Sequence, residues 1–126
     1  MVNVAKHIAY WANGAREDWE VAQELIKHKR VRHGLFFTHL ALEKALKAHV
    51  TRYTRDIAPR IHDLEELARR AALALTEKQA AVLAEINEFN IRGRCPESYV
   101  PAPDLKKARD LMLRTKEIFE WWLSQL

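Results

Sequence analysis

With 126 residues the chain has room for one domain and one core. Hydrophobic residues make up 48% and charged residues 30%, which excludes a disordered or fibrous chain. The formal net charge of +4 permits a nucleic-acid or nucleotide partner without requiring one.

The first helix is predicted from Asn3 to Lys27. Val4, Ile8, Trp11, Ala15, Trp19, Ala22 and Ile26 recur at spacings of three and four, which is one face of an α-helix. Gly14 lies inside it, at a cost of about 1 kcal/mol relative to Ala that a close neighbouring helix would explain. Residues 27–34 carry Lys27, His28, Lys29, Arg30, Arg32, His33 and Gly34, and read as the end of this helix and a connection. The second helix runs from Leu35 to Tyr53. It is apolar over most of its circumference, so it is the central one, with Phe37, Leu42, Leu46 and Tyr53 turned inward. Its exceptions, Glu43, Lys44 and Lys47, share a sector of about 100°. Residues 54–60 form a connection ending in Pro59. A short third helix follows from Ile61 to Leu73, with acidic residues in its first turns and Arg69 and Arg70 later. Thr76-Glu77-Lys78-Gln79 has capping-box spacing and opens a fourth helix that reaches Ile91, stopped by Gly93 and Pro96. After a loop with three prolines, Asp104 is the N-cap of a fifth helix with Leu105, Ala108, Leu111, Met112, Ile118, Phe119 and Trp122 on its inner stripe. Trp121, next to Trp122, then points about 100° away and outward. Residues 1–126 are expected to form a single all-α domain. Its architecture is an antiparallel up-and-down four-helix bundle with one short additional helix across an end.

Several chemistries are not represented. The lone Cys95 excludes an internal disulfide and a Cys-based zinc site. No apolar run approaches the roughly 18 residues of a membrane span, and the first residues have no secretory core, so a cytoplasmic protein is expected. There is no Gly-rich phosphate loop, H-E-x-x-H or nucleophile elbow. His39 and Glu43 have the i,i+4 spacing of two metal ligands, but no matching partner completes a set, and no metal or cofactor is expected. His7, His28 and His33 read as solvent-facing, and His49 lies near a helix end. His62, at the start of the third helix, either caps that helix or contacts the second. Arg92 and Arg94 follow the fourth helix in the proline-bounded loop, a place where binding residues concentrate.

Four stretches in order resemble the HEPN domain family, whose name abbreviates higher-eukaryote and prokaryote nucleotide-binding. They are Trp11-x3-Ala15-x2-Asp18-x3-Ala22-x2-Leu25; then Gly34-Leu35-x-Phe37-x-His39-Leu40-Ala41-Leu42-Glu43-Lys44-Ala45-Leu46-Lys47-Ala48; then Pro59-x2-His62-x-Leu64-x2-Leu67; then Arg94-Cys95-Pro96, where the family often has Arg-Tyr-Pro. The resemblance implies a four-helix bundle with a short extra helix, a homodimer, and in prokaryotes a separately encoded minimal nucleotidyltransferase partner, commonly in a toxin–antitoxin system. Many relatives are RNases with an Arg-x4–6-His motif near the last long helices. Here no His follows His62, and the matches Arg32 to His39 and Arg55 to His62 are no more than chance supplies.

The expected function is therefore binding of a nucleotide, an RNA or a protein partner, with no membrane role. Glu43, Lys44, Lys47, His62, Arg92 and Arg94 are the candidate site residues, and none is assigned as catalytic. Two alternatives stand beside it: an RNase toxin with a degenerate site using His62 or His39 as base, and an adaptor bundle in which the same residues form a buried network.

Overall fold

The computed structural model describes residues 2–90 and 101–126. In these, five helices follow one another: α1 (Val4–Lys27), α2 (Val31–Thr54), α3 (Leu64–Arg70), α4 (Glu77–Asn87) and α5 (Leu105–Ser124). No strand occurs among the described residues.

The first connection is tighter than the sequence suggested. Lys29, with φ 64°, takes the left-handed position after α1. Its N–H donates to Ile26 O at 3.0 Å, and the Arg30 N–H donates to Leu25 O at 2.8 Å. This is a Schellman closure, usually built on Gly. The turn therefore does not use Gly34, and α2 begins at Val31, four residues before Leu35. Gly34 is needed for packing instead: a Cβ there would meet Ile26 Cδ1 at 2.6 Å and Ile26 N at 3.3 Å. Gly14 has the same use on the opposite helix, where a Cβ would lie 3.1 Å from Lys44 Cδ. α1 and α2 run antiparallel, with Ile26 against Gly34 and Gly14 against Lys44.

α2 packs against all four other helices. Leu35, Leu42 and Leu46 on it have no exposed surface. Phe37 is only half-buried at the rim of that core, and Tyr53 is 64% exposed, contrary to the inward placement of both. The bundle covers α2 as far as Thr51, and residues 52–57 all face solvent.

The shorter helices follow their caps. α3 starts at Leu64 rather than Ile61 because Asp63 is its N-cap, accepting from the N–H groups of Glu65 and Glu66. Thr76 and Gln79 form the expected capping box, and α4 ends at Asn87, four residues short of Ile91. Gly93 and Pro96 lie outside the described residues. Asp104 caps α5 by accepting from Lys107 N–H at 2.8 Å. α5 runs parallel to α2: Thr38 donates to Met112 Sδ at 3.0 Å, and the His49 ring contacts Trp122 O at 2.7 Å. Because a carbonyl only accepts, His49 carries a proton on Nε2. Trp19 of α1 stacks on Phe119 of α5, with centroids 4.7 Å apart. No helix of the described residues is long and apolar enough to cross a membrane.

Candidate functional site

His39, Glu43 and Lys47 are spaced by four residues, so they form a stripe along one side of α2. α1 brings Trp11 to that stripe. The segment before α3 brings His62, and its position is fixed by its neighbour. Asp63 caps α3 and also accepts from Asn87 Nδ2 at 3.0 Å, while Asn87 Oδ1 accepts from Leu64 N–H. His62 is thus held against α2 by a tie between α3 and α4.

Glu43 is the centre of the cluster. It is 3% exposed, and a buried carboxylate costs several kcal/mol unless it is paired and hydrogen-bonded. Lys47, 6% exposed, donates to Glu43 Oε2 at 3.0 Å. His62 Nδ1 stands 3.1 Å from Glu43 Oε1. His39 Nδ1 is 3.7 Å from the same oxygen, too far for a hydrogen bond. The Lys47 ammonium also lies 5.2 Å from the centroid of the Trp11 ring, a cation–π contact.

Burial pushes the His39 imidazole down to a pKa of about 4, with the Glu43 charge opposing the shift. The Asn87 side chain and the His62 main chain oppose it further. They lie near the ring, but neither ring nitrogen has a well-formed hydrogen bond among the described residues. His39 is therefore a neutral core residue near neutral pH. Trp11 Nε1 is likewise buried without a hydrogen-bond partner among the described residues. The cluster opens to solvent at His62, whose side chain is 39% exposed.

Of the residues singled out in the sequence, Glu43, Lys47 and His62 converge. His62 contacts α2 and does not cap α3. Lys44 does not join them: its ammonium pairs with Asp18 of α1 at 2.7 Å, its stem crossing the notch left by Gly14. Arg92 and Arg94 lie outside the described residues. His28 and His33 are exposed as expected, whereas His7 is half-buried. Among the described residues no group of three or more His, Cys, Asp or Glu is arranged to hold a metal ion. Sequence reasoning missed the parts played by Trp11, Asp18 and Asn87. Trp11 fitted the core stripe, and Asp18 stood out only as part of a longer motif.

A family model for the HEPN domain matches residues 8–126. Two solved structures are similar to the chain. One is TT1696 from Thermus thermophilus, with a TM-score of 0.76 and 19% identity over 94% of this chain and 98% of that one. The other is ST0689, an archaeal HEPN homologue, with a TM-score of 0.62 and 19% identity over 94% of this chain and 96% of that one. At that identity the likeness shows the fold. No curated protein sequence matches the chain.

Proposed function

The chain belongs to the HEPN domain family, and from that premise we propose that it is a binding domain for a nucleotide or a segment of RNA. In this reading it works as a homodimer beside a separately encoded minimal nucleotidyltransferase, as one half of a toxin–antitoxin module. One observation carries the binding role: the Lys47–Glu43–His62 chain runs from the α1–α2 interface to the surface and ends on a half-open histidine. Inside the cluster Lys47 is committed to Glu43, so it is not free to meet a phosphate. Phosphate contacts fall to Arg92 and Arg94, whose planar forks suit them.

Nuclease action of the Arg-x4–6-His kind is not part of the proposal, because no His follows His62. His39 is wholly buried and has no route to a substrate.

Calorimetric titration of the purified protein with ATP and with a short single-stranded RNA tests the reading. Exchanging Arg94 for Ala should weaken binding by about 1.5–3 kcal/mol, the worth of a charge-assisted contact, and leave the melting temperature unchanged. Co-purification with the nucleotidyltransferase of an adjacent reading frame tests the partner. A second reading, a network that only locks helices together, draws on the burial of Glu43, Lys47 and His39. It requires that no nucleotide bind, and that Arg94→Ala lower the melting temperature if it has any effect.

A further inference from the structure

We propose that His62 Nε2 is a hydrogen-bond acceptor that takes an uncharged donor, a hydroxyl or an amino group, of the bound nucleotide. This rests on the nucleotide-binding reading and specifies which part of the ligand meets the buried cluster.

Glu43, the carboxylate partner of a salt bridge, accepts from the Lys47 ammonium through Oε2 at 3.0 Å. Its Oε1 faces His62 Nδ1 at 3.1 Å. A carboxylate in this form can only accept, so the proton of that bond belongs to Nδ1. A neutral imidazole carries one proton, and placing it on Nδ1 leaves Nε2 with its lone pair free to accept. This is the tautomer that free histidine disfavours, and the buried partner selects it.

The Glu43 side chain is 4% exposed, whereas that of His62 is 39% exposed. With Nδ1 turned toward the buried carboxylate, we assign Nε2 to the open side of the ring. The ring is held firmly because the next residue, Asp63, is tied to both α3 and Asn87.

The charge behind the ring decides the class of donor. Glu43 and Lys47 cancel each other, and His39 is neutral. A phosphate finds no donor at Nε2, only a lone pair. A cation finds no net negative charge. An uncharged hydroxyl or amino group matches both the lone pair and the neutral background. On a nucleotide these groups are the ribose hydroxyls and the exocyclic amino group of the base.

The tautomer is read directly by long-range proton–nitrogen correlation of the imidazole rings at about pH 8, above the ordinary histidine range. His62 should show its proton on Nδ1. Adding ATP or adenosine should shift the Nε2 resonance, and tripolyphosphate should not. 2′,3′-Dideoxy-ATP, lacking both free ribose hydroxyls of ATP, separates the sources: loss of the shift assigns the hydroxyls, and its retention assigns the amino group. His62→Phe should weaken ATP binding about 3- to 10-fold, the range of one neutral hydrogen bond, and leave tripolyphosphate binding unchanged. A proton found on Nε2, or a response to tripolyphosphate without one to adenosine, overturns the inference. If ATP binds but His62→Phe leaves its affinity intact, this inference fails and the binding reading stands. If no nucleotide binds at all, both fail.

Discussion

Lys47 of α2 holds its ammonium 5.2 Å from the centre of the Trp11 ring on α1, and the same ammonium reaches Glu43 at 3.0 Å. It is a buried cation with one anionic partner and one aromatic one. Glu43→Leu would leave that charge in the interior uncompensated, and should cost roughly 3–5 kcal/mol. The double variant Glu43→Leu, Lys47→Met removes both charges and should recover most of the loss. Urea unfolding of the two single variants and the double measures the coupling. Additive losses would show that the pair does not act as a unit.

Acid should weaken the fold through His39. Its folded pKa is about 4, against about 6.5 for the unfolded chain. Between those values the unfolded chain binds a proton that the folded one does not. Stability should therefore fall as pH drops through this window, by up to ~3 kcal/mol in total, and should not change on this account above pH ~6.5. His49, also held low by burial, acts in the same direction. Urea midpoints measured from neutral to mildly acid pH check the slope, and His39→Leu should remove its share.

Leu46 sits at the middle of α2 with no exposed surface. Leu46→Ala should cost about 2–5 kcal/mol, depending on how far the neighbours close the cavity. Thermal and chemical unfolding give the number. A loss below ~1 kcal/mol would mean that the site collapses with little penalty.

Trp121 is 56% exposed beside the buried Trp122, as helical spacing predicts. An outward tryptophan suits an interface, and the expected assembly is a two-fold homodimer. Sedimentation at tens of micromolar should show a dimer, and Trp121→Glu should shift it toward monomer with the helix content unchanged. A wild-type chain that sediments only as monomer removes this expectation.

The helices were legible because their apolar periods and caps are local. Asp104 and the Thr76–Gln79 box announce two helix starts through neighbours in the chain. The start of α2 was not legible. A lysine occupies the left-handed turn position that glycine normally marks, and the nearby glycine serves a contact with a residue of another helix. The site divides in the same way. Glu43 and Lys47 declare themselves as an i,i+4 pair, and His62 stands out by its place at the start of the third helix. The two lysines, however, lie within one sector of the helical wheel. Which of them turns to Glu43 and which to Asp18 is decided by where α1 puts Gly14, Trp11 and Asp18.

The two glycine notches also restrict how the molecule can move. Gly34 receives Ile26 near one end of the α1–α2 pair, and Gly14 receives the Lys44 stem near its middle. Sliding one helix past the other by a single turn, about 5.4 Å, would put other side chains where the Ile26 and Lys44 side chains now pack over a glycine. It would also part Lys44 from Asp18 and Lys47 from Trp11. The two notches therefore pin the register of the α1–α2 pair at one end and near its middle, and a change of register has to break both contacts together.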